Sequence, residues 1–161
     1  KLKLIRNHGL VSRDQCEVFG YNSRLDTIQA VIARHLLKKI DFITNSRISN
    51  AKYYDTNFQN IKEIKTPIRN KNLHEVFHIY SVTCQRRDDL SAYLIQNGID
   101  AKIHYPTPVH LQPAANYLDY KKGDFPKTEE ISNSIISLPV HEFIKREQQD
   151  KVINLIKNFY S

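Results

Sequence analysis

Apolar side chains recur every three or four positions over the first third of the chain, and this spacing predicts a long amphipathic helix. Asn22 or Ser23 would cap its N-terminus, and Asp26 would place a negative charge in its first turn. The pattern reaches Tyr54, so the helix would have about 30 residues, a length typical of a connection between two lobes. The apolar positions of this stripe are Leu25, Ile28, Ile32, Leu36, Ile40 and Ile43.

Shorter segments follow the long helix, and their patterns change between strand and helix. Residues 57–73 are polar and predict a loop or an irregular strand, whereas residues 74–84 alternate apolar and polar side chains as a strand does. The order of segments predicts a small α+β domain with a two- or three-stranded sheet. The later segments are a strand over 99–103, a short helix over 114–118, a helix over 128–136, an extended piece over 137–140 and a last helix over 145–159.

The helix between the two predicted strands has recognisable ends. It begins near Arg87, ahead of two aspartates that suit a first turn, and Gly98 would close it in a left-handed conformation. Leu90, Leu94 and Ile95 would face the core, because they fall on one side of such a helix.

The first residues also have a helical pattern. Apolar residues between Leu2 and Ile5 precede Gly9, and we interpret this segment as the end of an amphipathic helix. We therefore expect that a further segment precedes Lys1 in the natural protein.

The composition narrows the class of protein. The chain has 161 residues, of which 40% are hydrophobic and 25% charged, so it has enough apolar material for a core and is not disordered as a whole. Its four glycines cannot form a dinucleotide-binding GxGxxG motif or a P-loop.

The net charge of +7 is compatible with nucleic acid, with an anionic membrane or with small phosphate-bearing ligands. The basic residues are scattered and have acidic neighbours, which favours a solvated surface over a nucleic-acid groove. Cys16 and Cys84 form no CxxC motif, so we expect a reducing, cytoplasmic location. No apolar run approaches the roughly 20 residues of a membrane span.

Four histidines, an asparagine and an arginine are the candidates for binding a metal or a ligand. His74 and His78 would suit a metal on a helix, but in a strand they lie too far apart, and we expect no metal. His104 and His110 flank a proline-rich loop that could contact a ligand or serve the fold. Asn22 and Arg24 at the start of the long helix suit a phosphate site or an ordinary helix cap.

Seven motifs occur in an order that resembles one known family. The two longest are GYNSRLDTIQA at 20–30 and GIDAKIHYPTPVHLQPA at 98–114. Together they resemble the C-terminal part of the DegT/DnrJ/EryC1/StrS family of sugar aminotransferases, over nearly the whole chain. The shorter motifs are RNHG at 6–9, FHIYSV at 77–82, RDDL at 87–90, FPKTEEIS at 125–132 and LP at 138–139.

The resemblance implies an α/β fold of the aspartate-aminotransferase type. This chain would supply its C-terminal part, a long bridging helix and a small sheet covered by helices. Residues 1–21 would be a remnant of the large domain, 22–56 the interdomain helix and 57–161 the C-terminal small domain.

The resemblance also implies an activity. Members of the family use pyridoxal 5′-phosphate to move an amino group from glutamate to a nucleotide-linked keto-sugar, as cytoplasmic homodimers, for lipopolysaccharide or other polysaccharide and glycan synthesis. Their Schiff-base lysine lies upstream of the RNHG motif, so we expect the full-length protein to be the enzyme and this chain alone to be inactive. The NSRLDT motif resembles that of members acting on a 3-keto sugar more than that of members acting on a 4-keto sugar.

Five residues take roles from the resemblance. Asn22 matches an asparagine that reaches the cofactor phosphate of the other subunit, and Arg24 matches an arginine near that site which touches substrate. His104 and Tyr105 match a loop that contacts the nucleotide-sugar near its diphosphate. His8 lies in a segment that borders the active site. No residue of this chain takes a catalytic role.

Other classes of function stay open at this point. The chain could be a non-enzymatic module that binds a nucleotide-sugar or a partner chain, a nucleic-acid-binding domain, or a fragment that folds only partly. The apolar stripe on the long helix should be exposed in this chain, and we expect it to drive association into a dimer or a larger oligomer.

Overall fold

The chain folds as two units, Lys1–Ile40 and Asp41–Ser161. The computed structural model describes all residues from Lys1 to Ser161. None of its helices combines the length and the apolar character that crossing a bilayer requires.

The first unit contains helix α1 (Leu2–Ile5) and helix α2 (Thr27–Leu37). Backbone hydrogen bonds between α1 and the segment before α2 hold it together, such as Tyr21 N–H to Ile5 O at 2.7 Å. Gly20 lies in this close approach, where a Cβ atom would come within 2.5 Å of the Ile5 carbonyl oxygen. Only glycine fits there, because backbone atoms cannot move aside as a flexible side chain can.

The predicted long helix is divided in two. Helix α3 spans Ile40–Phe58, so Lys38 and Lys39 separate it from α2. The N–H groups of the two lysines bond three residues back, to the carbonyls of His35 and Leu36, and this tighter pattern interrupts the α-helical ladder. The prediction of one continuous helix was therefore wrong, and no glycine or proline marks the interruption in the sequence.

The apolar stripe of the first unit is exposed, as expected. Its members from Leu25 to Ile40 keep between 48% and 71% of their residue surface accessible. These residues are Leu25, Ile28, Ile32, Leu36 and Ile40.

The second unit is a three-stranded antiparallel sheet with helices. The strand order is β1-β2-β3, with Ile64 opposite Cys84 and Tyr80 opposite Leu138. The elements after α3 are β1 (Ile64–Lys65), β2 (Tyr80–Cys84), α4 (Arg87–Gln96), 3₁₀ turns at Val109–Leu111 and Pro113–Leu118, α5 (Pro126–Ser134), β3 (Ile135–Leu138) and α6 (Arg146–Tyr160). The α+β class and the size of the sheet agree with the sequence pattern.

One apolar core joins the sheet to helices α3, α4 and α6. Strand β2 alternates in burial, and Tyr80 and Val82 are almost fully buried. Leu94 of α4 and Ile156 of α6 are also fully buried in this core. Burial of such side chains stabilises the fold by about 1.5–3 kcal/mol each.

Strand β2 is shorter than the pattern over 74–84 predicted. Residues 74–79 are irregular because Arg47 donates to the carbonyl oxygens of Phe77 and His78, at 3.4 and 3.2 Å, where a neighbouring strand would have to bond. Phe77 also has a left-handed φ of 48°, which is incompatible with an extended strand.

The predicted strand over 99–103 is reduced to a single bridge. Lys102 pairs with Ser137 of β3, but Ala101 N–H bonds to the Ile99 carbonyl at 2.9 Å and turns the chain. This turn prevents a longer ladder, since a strand cannot bond to itself two residues away.

Helix α4 ends in the predicted left-handed conformation, but only two of the three residues predicted to face the core do so. Gly98 has a φ of 78°, and Leu90 and Leu94 are fully buried. Ile95 is 56% exposed, which corrects the expectation that it faces inward. Adjacent helical positions differ by about 100° around the axis, so Leu94 and Ile95 need not share an environment.

Truncation of Leu94 should therefore destabilise the second unit far more than truncation of its neighbour. We expect Leu94→Ala to lower the free energy of unfolding by about 2–5 kcal/mol, because it leaves a cavity in the core. The exposed Ile95→Ala control should change it by less than about 0.5 kcal/mol. Urea denaturation followed by circular dichroism measures both, and equal losses would contradict the assignment of faces.

Candidate functional site

Asn22 and Arg24 lie together in the first unit. Asn22 pairs with Asn7 in an isolated bridge, and Arg24 Nε donates to the Asn22 side-chain oxygen at 3.4 Å. This leaves the Asn22 amide N–H groups and the terminal guanidinium N–H groups without a partner in the chain. They border an open cavity of about 500 Å³ whose lining also includes Leu25, Asp26 and Thr27. Amide and guanidinium donors of this kind suit a phosphate.

The start of α2 differs from the prediction. The N-cap is Asp26 and not Asn22 or Ser23, and Asp26 N–H donates to the Gln29 side-chain oxygen at 3.3 Å. The carboxylate of Asp26 already complements the positive end of the helix. A phosphate near Asn22 and Arg24 would therefore be bound by side chains and not by the helix terminus.

His8 lies in the same paired segment as Asn22. Its N–H donates to the Tyr21 carbonyl at 3.0 Å, and its own carbonyl accepts from Cys16 Sγ at 3.2 Å. His8 is exposed and has a left-handed φ of 57°. The backbone pairing thus brings His8 and Asn22 to the same part of the first unit.

His104 and Tyr105 lie in the second unit, directly after the bridge at Lys102. The His104 ring is half-buried, and its Nδ1 is 2.9 Å from the hydroxyl of Ser137 on β3. Tyr105 is 71% exposed, and its ring meets the His104 ring edge to face at 5.5 Å. The peptide bond between the two residues is cis.

His104 borders a cleft of about 490 Å³ in the second unit. The two cations of this cleft already have acidic partners: Arg47 pairs with Glu142 at 3.0 Å, and Lys102 pairs with Asp100 at 2.6 Å. Much of the remaining lining is apolar and comes largely from the end of β3 and the segment that follows it, residues 138–144. Three histidines of the lining, His78, His104 and His141, are candidates for hydrogen bonds to a ligand, together with Gln148.

The model of the DegT/DnrJ/EryC1/StrS aminotransferase family matches residues 1–157. The chain belongs to this family. Its members therefore provide the relevant comparisons.

Two curated family members illustrate the similarity. The chain is 34% identical over 157 residues to the erythromycin biosynthesis sensory transduction protein EryC1 of Saccharopolyspora erythraea, covering 98% of the chain and 43% of the relative. It is 32% identical over 159 residues to a dTDP-3-amino-3,4,6-trideoxy-alpha-D-glucose transaminase of Streptomyces venezuelae, covering 99% of the chain and 42% of that protein.

Solved structures agree with the sequence comparison. The S. venezuelae protein DesV, crystallised in complex with a ketimine intermediate, superposes with a TM-score of 0.95 at 32% identity. The match covers 99% of this chain and 43% of DesV. The chain thus spans less than half the length of the relatives it matches.

In the present chain, His110 anchors the proline-rich loop that follows Tyr105. The His110 Nε2 atom is 3.0 Å from a Glu129 carboxylate oxygen, and Gly123 N–H donates to the same oxygen at 2.8 Å. The His110 ring also packs on Phe125 at 4.8 Å. His110, one of the two sequence candidates flanking this loop, therefore holds the loop against α5.

The same segment is tied to helices α5 and α4 by residues that sequence reasoning missed. The Ser132 hydroxyl oxygen lies 2.7 and 2.9 Å from the carbonyl oxygens of Tyr105 and Pro106, which share its one proton. The buried Arg87 donates to the Ser132 carbonyl at 2.9 Å. No motif identifies these contacts, because a serine in a helix and an arginine at a helix start are usually surface residues.

Protonation of Glu129 should make the wild-type fold less stable in acid. The Gly123 N–H bond, and secondarily His110, holds the pKa of the Glu129 carboxyl below its ordinary value. A lowered pKa means that Glu129 stabilises the fold above the pKa of the unfolded chain, and that this contribution disappears as the pH falls through the folded pKa. Glu129→Gln should therefore lower the melting temperature at pH 7 and flatten its dependence on pH below about 4.5.

Thermal melts between pH 3 and pH 7 measure this effect. Glu147→Gln removes an exposed carboxylate from the first turn of α6 and should keep the wild-type slope. A Glu129→Gln protein with an unchanged acid slope would show that the anchor contributes nothing to pH-dependent stability.

Proposed function

We propose that this chain is the C-terminal portion of an aminotransferase that uses pyridoxal 5′-phosphate to move an amino group from glutamate to a nucleotide-linked keto-sugar. The observation that carries the proposal is the match of almost the entire chain to DesV, which was crystallised with a ketimine intermediate. Because the chain spans less than half of that protein, the activity is proposed for the longer protein and not for these residues alone.

The donor set of the first unit fits the phosphate of the cofactor. Asn22 and Arg24 offer unpartnered N–H donors at one open cavity, and a phosphate accepts several such bonds. When bound, the cofactor supplies an electron sink for the amino transfer. We expect Asn22 to act across a homodimer, and the exposed apolar face of α2 supports such an association.

A lysine for covalent attachment of the cofactor is expected outside this chain. All 15 lysines are exposed, and none lies in a desolvated pocket of the kind that activates an amine. We therefore propose that residues 1–161 bind and orient but do not form the covalent link.

His104 and Tyr105 are proposed to contact the nucleotide-sugar. His104 has a ring nitrogen available at a cleft edge, and Tyr105 offers an exposed ring and hydroxyl. His8 and Arg24 of the first unit are each proposed as substrate contacts as well, and Arg24 would also lie near the cofactor phosphate. The proposed division places residues 1–21 with the large domain, 22–56 as the bridge and 57–161 as the small domain.

The position of the keto group is proposed to be C3. The S. venezuelae relative is a transaminase whose name carries a 3-amino group, which agrees with the NSRLDT motif of this chain. Both cysteines are free thiols, which agrees with a cytoplasmic enzyme. A product of this kind would serve polysaccharide or glycan synthesis.

The longer protein should aminate a 3-keto sugar nucleotide. We would sequence the gene upstream of Lys1, express the complete product and assay it with glutamate and UDP- or dTDP-linked 3-keto and 4-keto hexoses. Amination at C3 is expected, and the 161-residue chain alone should be inactive and form no stoichiometric adduct with pyridoxal phosphate under borohydride. Absence of an upstream lysine segment, or binding without turnover, would favour the non-enzymatic binding module.

Substitution of the phosphate donors should release the cofactor. Arg24→Ala or Asn22→Ala in the longer protein should weaken retention of pyridoxal phosphate about tenfold or more, because a hydrogen bond to a charged group is lost. Absorbance after dialysis at graded cofactor concentrations measures the affinity. Arg13→Ala removes an exposed arginine from the same unit and is the matched control, and equal losses in all three variants would contradict the site.

A further inference from the structure

A chain of three side chains links the sheet to His104. Ser81 of β2 lies directly opposite Ser137 of β3, and their hydroxyl oxygens are 2.8 Å apart. The Ser137 hydroxyl is in turn 2.9 Å from His104 Nδ1. Ser137 is only 4% exposed, so this hydroxyl has little access to water.

Ser137 also holds the backbone that leads to His104. Its N–H donates to the Lys102 carbonyl at 2.8 Å, and Lys102 N–H donates to the Ser137 carbonyl at 3.1 Å. One strand residue therefore determines both where the chain lies two positions before His104 and how the ring is turned. A ring fixed at its backbone and at one nitrogen has little rotational freedom.

The available protons favour one direction for this hydrogen-bond chain. Each hydroxyl can donate once, and Ser81 has no other partner than Ser137. If Ser81 donates to Ser137 and Ser137 donates to His104 Nδ1, every hydroxyl proton is used within the protein. The opposite direction leaves the Ser81 proton without an acceptor in the chain.

This direction determines the protonation of the neutral ring. When Nδ1 accepts a hydrogen bond, the proton of a neutral imidazole lies on Nε2. His104 Nε2 has no partner in the chain, and it is not among the buried polar atoms that lack one, so it reaches solvent. His104 thus offers an N–H donor at the edge of the cleft.

We propose that Ser137, supported by Ser81, is a positioning residue that holds His104 as the Nε2–H tautomer and directs that donor to an acidic oxygen of the ligand. The tautomer follows from the geometry of the second unit alone. The identity of the ligand, the diphosphate of a nucleotide-sugar, rests on the proposed function. The two parts can therefore be tested separately.

The first test is ¹⁵N NMR of the His104 ring in the full 161-residue chain, at a pH where the imidazole is neutral. The wild type should show Nδ1 unprotonated and Nε2 protonated. Ser137→Ala should shift both nitrogens toward the averaged values of free histidine, and Ser137→Thr, which keeps the hydroxyl, should restore the wild-type pattern. Unchanged ring shifts in Ser137→Ala would overturn the proposal.

Two further variants keep this test decisive. Ser81→Ala removes the supporting bond from a half-buried position and should produce a partial shift even if Ser137→Ala does not fold. Ser134→Ala is the matched control, because its hydroxyl bonds to the carbonyls of Glu130 and Ile131 and not to His104. Identical spectra for Ser81→Ala and wild type would also count against the proposal.

The second test is titration with UDP, used as a diphosphate probe. UDP should shift His104 Nε2 in the wild type, and Ser137→Ala should weaken UDP binding about fivefold to tenfold, while Ser134→Ala leaves it unchanged. If UDP, monitored at His104, bound the wild type and Ser137→Ala with equal affinity, the positioning role of Ser137 would be overturned. No response of His104 to UDP would overturn the proposed substrate contact, while the tautomer result alone would decide the role of Ser137.

Discussion

Strand β2 lies between β1 and β3, and its antiparallel pairing with β3 joins residues separated by 56 positions at Ser81 and Ser137. The inward face of β2 supplies Tyr80 and Val82 to the core that also holds helices α3, α4 and α6. Ser137 of the same pair also bridges to Lys102 and lies 2.9 Å from His104 Nδ1. The second unit depends on this pairing because a two-residue strand such as β1 cannot form a stable sheet edge alone.

The segment from His104 to Gly123 has little regular structure, and its position is set by side chains from regular elements. Ser137 of β3 contacts His104 at the beginning of this segment. Ser132 of α5 bonds to the next two carbonyls. Glu129 of α5 holds the later part of the segment through His110. A loop held in this manner can present His104 and Tyr105 in a defined arrangement. Loops that carry binding residues on a rigid scaffold commonly have this construction.

Local patterns were sufficient for several elements and misleading for others. The end of α4 just before Gly98 followed from glycine's access to positive φ, and the last helix, predicted over 145–159, is observed as α6. The strand predicted over 74–84 was too long because Arg47, from a distant helix, takes two of its carbonyls. The break at Lys38 and Lys39 had no signal, since both residues are good helix formers.

The sequence by itself determined the family and the α+β class, because ordered motifs and apolar periodicity are local properties. The family resemblance also suggested residues for cofactor and substrate contacts, and these stay predictions. Only the tertiary structure decided which partners these residues have. Asp26, not Asn22, caps α2, His110 is paired with Glu129, and His104 is held by a serine from a strand far away in the sequence. Hydrogen bonds between distant residues depend on how the elements pack, and no local pattern encodes that packing.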